Sequence, residues 1–254
     1  MSLITVLSTV VRPEKIRIYE TLLQRIADEA KQKKDKLEWS THQVTMGETG
    51  AFRVVSEAES WSELSERGNA QRLIQRLFGD KEAQRIVDQI RECVLQGRSV
   101  VCRARQDISL PANEEGGAAQ ESVTLFRARP GGQPAVEELI RKVGQALEML
   151  GDERRFTAFQ TVIGNLRDYT TVMPLTGLGQ LDARQPAQIL VDAFGAEGAL
   201  IYRNGMEAIE HSEREMSAVR VELSHAPWVE SLGEERRKAA ARGGKRAATA
   251  GRSS

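Results

Sequence analysis

Two segments of this chain are variants of one another: residues 12–22 read RPEKIRIYETL and residues 129–139 read RPGGQPAVEEL. They align at an offset of 117 positions. Downstream, the same offset also matches Asp35 with Asp152, Gln43 with Gln160, Gly47 with Gly164, Leu64 with Leu181 and Arg67 with Arg184. A constant offset over so long a stretch indicates an internal duplication.

Further along the chain the offset becomes smaller. It is 116 for Phe78-Gly79 against Phe194-Gly195, and 115 for Asp107-Ile108-Ser109 against Glu222-Leu223-Ser224. Small deletions in loops would produce this drift. We interpret the acidic residue and the serine of the last pair as groups that cap or turn the chain at strand exits.

Each half predicts the order β-α-β-β-α-β, which is the ferredoxin-like arrangement. A proline precedes a helical pattern in both halves, and two segments rich in aromatic and β-branched residues then read as a hairpin. The predicted strands are Leu3 to Val11, Leu37 to Met46, Phe52 to Val55 and Ser99 to Arg105 in the first half, and Val123 to Arg129, Phe156 to Ile163, Tyr169 to Met173 and Ser217 to Leu223 in the second.

These patterns predict a first repeat over residues 1–110, a linker over 111–120, a second repeat over 121–227 and a basic tail over 228–254. From Arg236 onward the chain has seven basic residues and no acidic ones, whereas the whole chain has a net charge of zero. We interpret the tail as a disordered, solubilising extension. Nonspecific nucleic-acid contact is the weaker alternative, because the tail has no aromatic residue on which bases could stack.

The composition excludes several classes of protein. No apolar run approaches the roughly 18 residues that a membrane-spanning helix needs, so no membrane association is expected. Residues 1–11 read as a strand and not a signal peptide, since they lack a basic start and their copy lies inside the chain. Cys93 and Cys102 form no CxxC pair, and we expect two buried, reduced thiols in a cytoplasmic protein, without a disulfide or a zinc site.

The strand-loop-strand from Thr45 to Val55, followed by Ser60-Trp61-Ser62-Glu63-Leu64, resembles the dimeric α/β barrel superfamily, and in particular its antibiotic biosynthesis monooxygenase-like branch. The resemblance covers about residues 3–110 and 121–225. It implies two ferredoxin-like sheets that pack face to face into one barrel, and a small aromatic or hydrophobic ligand in a cleft between sheet and helices. The predicted fold class is therefore α+β, with tandem ferredoxin-like (βαββαβ) repeats that form a pseudo-twofold dimeric α/β barrel.

Elementary packing supports the same architecture. A four-stranded sheet with helices on one face leaves its other face bare, and an apolar bare face must be covered. A tandem copy supplies that cover within one chain. Whether the barrel assembles further into a homo-oligomer is left open by the sequence.

Five residues are candidates for a site. His42 is the candidate catalytic base, because imidazole titrates near neutral pH and the aligned residue in the second half is Phe159. Trp39 could stack on an aromatic ligand, Gln43 and Gln160 could orient a carbonyl group, and Arg53 could bind an anionic group. The alternative for each is structural: a satisfied histidine, a core tryptophan, barrel-interface amides and a surface arginine.

Two functions follow from this reading. The first is an antibiotic biosynthesis monooxygenase-like protein that binds a small hydrophobic or aromatic molecule, and which, if it oxygenates, does so without a cofactor. The alternative is a noncatalytic barrel that serves as a carrier, stress protein or assembly module. No nucleotide motif is present and no metal-ligand spacing is found. Haem is not expected either, since haem-binding relatives need a proximal ligand in the later half, where only His211, predicted on the last helix, is a weak substitute.

Overall fold

The computed structural model describes residues 2–67, 69–111 and 118–234. Its strands are β1 (Leu3–Val11), β2 (Ser40–Met46), β3 (Ala51–Ala58), β4 (Val94–Ala104), β5 (Gln120–Ala128), β6 (Thr157–Ile163), β7 (Asp168–Leu175) and β8 (Ile209–Val219). Its helices are α1 (Ile16–Lys33), α2 (Trp61–Arg67), α3 (Ala70–Phe78), α4 (Asp80–Cys93), α5 (Gln133–Met149), α6 (Pro186–Phe194) and α7 (Ala196–Ala208), and residues 227–234 are also helical.

The eight strands close into one antiparallel barrel in the order β1-β3-β2-β8-β5-β7-β6-β4. The first-half strands follow one another as β4-β1-β3-β2 and the second-half strands as β8-β5-β7-β6, which is the same order. Two pairings join the halves, β2 with β8 and β4 with β6. The fold is therefore α+β with a closed eight-stranded barrel, as the sequence predicts.

The strand registers repeat between the halves. Leu3 pairs with Arg103 in the first half, and Gln120 pairs with Ala218 in the second, which are offsets of 117 and 115. At these offsets Cys102 corresponds to Ser217.

The helices cover the outer surface of the barrel, and the core lies between them and the strands. In the first half Trp39, Leu73 and Ile86 are buried there, and in the second half Leu139, Ile189 and Tyr169 are buried. Each such aliphatic side chain contributes about 1.5–3 kcal/mol by leaving water. The packing of these side chains between the helices and the strands accounts for the positions of the helices.

The last strand of each half begins earlier than predicted. β4 begins at Val94 and not at Ser99, and β8 begins at Ile209 and not at Ser217. The added residues are mostly polar and exposed, so their sequence has no strand pattern, but pairing with β1 and β5 holds them extended. His211 therefore lies on β8, which corrects its predicted place on the last helix.

The folded part continues past the predicted boundary at residue 227. The 227–234 helix packs on the end of β8, where Val229 contacts Val219 and Ala226 and is buried. The rest of the predicted tail, residues 235–254, lies outside the described residues, as do linker residues 112–117. None of the helices described is both long and apolar enough to cross a bilayer.

Both cysteines are buried and neither forms a disulfide. Cys93 ends α4 and Cys102 lies on β4. The expectation that both thiols are buried is confirmed.

Candidate functional site

The interior of the barrel is a cavity of about 1320 Å³. Alternate residues of the strands face it, because successive side chains of a strand point to opposite sides. On β1, for example, Ile4, Val6 and Ser8 line the cavity, whereas Leu3 and Val11 are buried on the outer side. Eight-stranded barrels are wide enough to hold one small ligand. This cavity thus lies inside the barrel, whereas the family resemblance implies a cleft between sheet and helices.

His42 lies on the cavity wall between two hydrogen-bond partners. Its Nδ1 is 3.0 Å from Oε2 of Glu121, and its Nε2 is 2.9 Å from the hydroxyl of Ser40. Ser40 and His42 share the inner face of β2, and Glu121 lies on β5, across strand β8. The histidine is 7% exposed, so this chain of three groups is largely shielded from water.

The partners determine the tautomer of His42. An ionised carboxylate only accepts hydrogen bonds, so Nδ1 must carry the proton that it donates to Glu121. Nε2 of the neutral ring is then an acceptor, and the Ser40 hydroxyl donates to it. A base held by a carboxylate on one nitrogen, with the other nitrogen directed at a proton donor, is the arrangement of general-base sites.

A second pair of charged groups lies beside His42. Arg53, paired with His42 across β2 and β3, donates to Oε2 of Glu215 at 2.8 Å. Burial raises the pKa of Glu215 above its ordinary value, and the nearby Arg53 opposes that rise. Both residues line the cavity, so the arginine is already neutralised inside it.

Ser217 completes this polar part of the wall. It lies on β8, opposite Glu121 on β5 and Val44 on β2. Its side chain is buried, and its Oγ has no hydrogen-bond partner among the described residues. An unpartnered buried hydroxyl is uncommon, since such groups nearly always find a partner.

The polar wall lies around the β2–β8 junction of the barrel, and its counterparts lie around the β4–β6 junction. His42 corresponds to Phe159, Glu121 to Ile4, Ser217 to Cys102 and Glu215 to Val100, whereas Ser40 and Arg53 correspond to Thr157 and Thr170. All six counterparts line the same cavity. We call the group of His42, Ser40, Glu121, Ser217, Arg53 and Glu215 the polar wall, and the group of Phe159, Ile4, Cys102, Val100 and Val6 the apolar wall.

One further charged cluster lies near the cavity end formed by β7 and the start of β4. Asp168 is 1% exposed and accepts hydrogen bonds from Arg127 at 2.7 Å and from Arg98 at 3.3 Å. Two arginines balance the buried carboxylate, so the cluster is a satisfied ionic network. Elsewhere on the wall, burial raises the pKa of the Cys102 thiol, whose Sγ is 3.8 Å from Oγ1 of Thr161.

The structure brings three of the five predicted site residues to the cavity. His42 and Arg53 lie side by side on its wall. Trp39 lies at its edge, where the indole Nε1 donates to the carbonyl oxygen of Leu223 at 3.0 Å, and most of the ring packs in the sheet–helix core.

Gln43 and Gln160 point away from the cavity. Gln160 accepts from Nη1 of Arg105 at 2.9 Å, and Gln43 accepts from Nη1 of Arg220. Each arginine belongs to the opposite half of the chain from the glutamine it binds. The two glutamines therefore join the halves on the outside of the barrel, which is the structural alternative considered for them.

Each of these arginines is surrounded by acceptors. Arg105 donates to Glu137 at 2.8 and 2.9 Å and to Asp107 at 2.8 and 2.7 Å. Arg220 binds Glu20, at the position equivalent to Glu137, and Glu222. The hydroxyl of Tyr169 also donates to Glu137, at 2.6 Å. The hydrogen bonds from Arg105 hold the pKa of Glu137 below its ordinary value.

The serines at the strand exits act as the sequence predicts. Oγ of Ser109 donates to the carbonyl oxygen of Arg105 and accepts from the backbone N–H of Ala158. Ser224 makes the same two bonds, with Arg220 and Thr41. Both serines fix a turn of the chain.

Among the described residues, no group of three His, Cys, Asp or Glu side chains comes together with the geometry of a metal site. His211 is half exposed on β8, with its Nε2 3.7 Å from Glu213, and it does not line the cavity. The residues that could contact a small organic molecule are those of the polar and apolar walls.

Sequence reasoning missed Glu121, Ser217 and Ser40. Glu121 is separated from His42 by most of the first half of the chain, and no local motif links them. The signal that could have found Glu121 and Ser217 is asymmetry between the repeats. Glu121 aligns with the apolar Ile4, just as His42 aligns with Phe159.

Comparison with solved structures places the fold among known α/β barrels. The chain is similar to an anthrone oxidase-like protein, with a TM-score of 0.57 and 13% identity, over 86% of this chain and 91% of that one. It is also similar to a candidate monooxygenase from Lactobacillus acidophilus NCFM, with a TM-score of 0.52 and 3% identity, over 86% and 93% of the two chains.

A third similar structure is chlorite dismutase from Candidatus Nitrospira defluvii, with a TM-score of 0.52, 10% identity and coverage of 92% of this chain and 94% of that one. No protein-family model matches the sequence, and no curated protein matches it. At such low identities the likeness shows the barrel fold alone, and the chemistry has to be argued from the site.

Proposed function

We propose that the chain is a tandem pair of ferredoxin-like repeats whose barrel binds one small hydrophobic or aromatic molecule, and that His42 removes a proton from this molecule in a cofactor-independent oxygenation. The observation that carries the proposal is the contact of 3.0 Å between Nδ1 of His42 and Oε2 of Glu121, on the wall of a cavity of about 1320 Å³. Solved structures of similar fold include a candidate monooxygenase and an anthrone oxidase-like protein, which supports the same class of reaction.

The proton-transfer step depends on both neighbours of His42. Glu121 holds Nδ1–H and stabilises the imidazolium that forms when Nε2 takes a proton. The Ser40 hydroxyl, which donates to Nε2, rotates about its Cα–Cβ bond to release the lone pair. A ligand that enters the cavity also displaces water, which strengthens the interaction between the imidazolium and the carbanion.

The overall reaction balances without an added reductant. The substrate loses a proton from a CH₂ group beside an aromatic ring, and the resulting carbanion transfers electrons to O₂. One oxygen atom becomes bonded to that carbon as a C=O group, and the second leaves as water together with the two hydrogens of the CH₂. The substrate is the reductant, so the chain needs to supply only a base and a dry cavity.

Oxygen uptake with anthrone as a probe tests this proposal. The wild-type chain should consume O₂ and oxidise anthrone, whereas His42→Ala should reduce the rate about a hundredfold or more, which is typical for loss of a general base. His211→Ala, which changes a half-exposed histidine on β8 that does not line the cavity, is the control and should keep the wild-type rate. Binding of anthrone without any O₂ uptake by the wild-type chain would contradict the proposal.

The noncatalytic barrel is the second candidate, and the outer arginine networks favour it. Arg105 and Arg220 tie each half to the other through carboxylates and glutamines, so the tandem arrangement has a structural purpose of its own. Equal behaviour of the wild-type chain and His42→Ala in ligand binding, with no turnover by either, would support this second function.

A further inference from the structure

The two walls of the cavity differ in chemistry, and the difference specifies a ligand. The polar wall presents hydrogen-bonding and charged groups, and the apolar wall presents Phe159, Ile4 and Val100 at the same heights on the opposite side. Since the strand registers of the two halves are the same, this asymmetry comes from side chains alone. A ligand that fills the cavity therefore meets one polar side and one apolar side.

The polar wall contains a buried hydroxyl group, that of Ser217, without a hydrogen-bond partner among the described residues. Oγ of Ser217 is buried and without a hydrogen-bond partner among the described residues, although it lies directly opposite Glu121 in the β5–β8 pair. A serine hydroxyl can donate one hydrogen bond and accept two. A ligand oxygen beside His42 would satisfy it.

The charged groups of the polar wall are already paired with one another. Arg53 binds Glu215 at 2.8 Å, and Glu121 contacts His42 at 3.0 Å. An anionic ligand at this wall would find the counter-charge of Arg53 engaged and would lie close to Glu121 and Glu215. A cationic ligand would have to compete with Arg53 for a carboxylate. An uncharged hydrogen-bonding group avoids both costs.

We propose that the cavity takes an uncharged amphipathic molecule, whose single hydroxyl or carbonyl oxygen bonds to Ser217 and whose apolar body lies against Phe159 and its neighbours on the apolar wall. This inference rests on the proposed function, because it names the class of ligand that the same cavity would hold. Ser217 thereby selects and orients the ligand, with its oxygen-bearing end held at the polar wall.

Binding of four naphthalene compounds, measured by their fluorescence under argon, tests the inference. The probes are naphthalene, 1-naphthol, 1-naphthoate and 1-naphthylmethylammonium. The wild-type chain should bind 1-naphthol most tightly, about fivefold or more above naphthalene, which corresponds to one net hydrogen bond. The naphthoate and ammonium probes should both bind more weakly than 1-naphthol.

Variants at the two matched positions identify the responsible residue. Ser217→Ala should bind 1-naphthol no better than naphthalene, with the affinity for naphthalene unchanged. Cys102→Ala, at the equivalent position of the apolar wall, removes a contact with the apolar body of either probe and should change the affinities for naphthalene and 1-naphthol to the same degree, so that their ratio is kept. Circular dichroism and the thermal midpoint of each variant verify that it is folded.

Three outcomes would overturn the inference: an unchanged preference for 1-naphthol in Ser217→Ala, tighter binding of a charged probe, or no binding of any probe by the wild-type chain. The first two leave the proposed function intact, because binding is measured without O₂ and does not report turnover. The third overturns the inference, and the anthrone experiment then decides about the proposed function. Oxygen uptake with anthrone would leave the proposed function intact, whereas no uptake would remove both.

Discussion

Arg220, in the second half of the chain, donates a hydrogen bond to the carboxylate of Glu20 in the first half. The reverse connection is present too, because Arg105 of the first half donates to Glu137 of the second at 2.8 Å. The two pairs occupy equivalent positions at the two junctions of the barrel, next to the β2–β8 and β4–β6 pairings. The halves are therefore joined by a duplicated ionic contact as well as by strand pairing.

Removal of either arginine should destabilise the whole chain. Arg220→Ala leaves Glu20 and Gln43 without their shared donor, and we expect a loss of about 1.5–3 kcal/mol in the free energy of unfolding, which is typical of hydrogen bonds to charged groups. Urea unfolding followed by circular dichroism measures this loss. The control is Arg91→Ala, since Arg91 and Asp88 form an exposed pair on α4 and such pairs contribute about 1 kcal/mol or less. Equal shifts for the two variants would show that the inter-half contact is no stronger than a surface pair.

The Arg105 network should also set part of the acid sensitivity of the fold. The pKa values of Glu137 and Asp107 are lowered, first of all by hydrogen bonds from Arg105. Because the folded-state values are depressed, this stabilisation is present above the unfolded pKa, about 4 for such groups, and is lost as the pH falls through the folded values. The difference in unfolding free energy between wild type and Arg105→Ala should therefore shrink on going from about pH 7 to about pH 3. A difference that is constant over this range would be inconsistent with the assignment.

These same residues show which features of the fold can be predicted from the sequence. The constant offset matched Gln43 with Gln160 and Glu20 with Glu137, and the predicted α+β class with a closed barrel was correct. It did not identify Arg105 and Arg220 as their partners, because a contact between halves has no local signature and the drifting offset obscured their equivalence. The sequence also could not determine which face of β2 lines the cavity, since polar residues occupy both faces and only barrel closure decides between them.

Glu121→Gln should lower turnover without lowering ligand affinity, if His42 is the base. The amide can still accept from Nδ1–H, but it has no charge to stabilise the imidazolium, and we expect kcat to fall roughly tenfold or more. KM and anaerobic ligand binding should change little, which a merely structural role for Glu121 would not produce. Glu213→Gln is the matched control, since Glu213 lines the cavity on β8 further from His42. Similar losses of kcat in both variants would indicate a general effect of cavity charge.

The hairpin turn before β3 provides a test of the fold itself. Gly50 has a φ of +78°, and a Cβ at this position would lie 2.8 Å from the carbonyl oxygen of Val11, in strand β1. The carbonyl oxygen of Gly50 meanwhile accepts from the N–H of Val11 at 3.0 Å. In the other half Arg167 makes the equivalent bond to Ala128 at 2.9 Å, and its φ is not positive. The first-half turn thus needs glycine where the second-half turn does not.

Gly50→Ala should therefore cost more than the change of backbone angle alone. Gly131 has nearly the same φ, +77°, but nothing lies within 4 Å of its Cβ position. Gly131→Ala should cost about 1–2 kcal/mol, the usual penalty for a side chain in the left-handed region. Gly50→Ala adds a clash with a backbone oxygen that strand pairing holds in place, and we expect at least about 1 kcal/mol more. Urea unfolding of both variants measures the difference, and equal losses would mean that the turn moves away from β1 without breaking the hairpin junction.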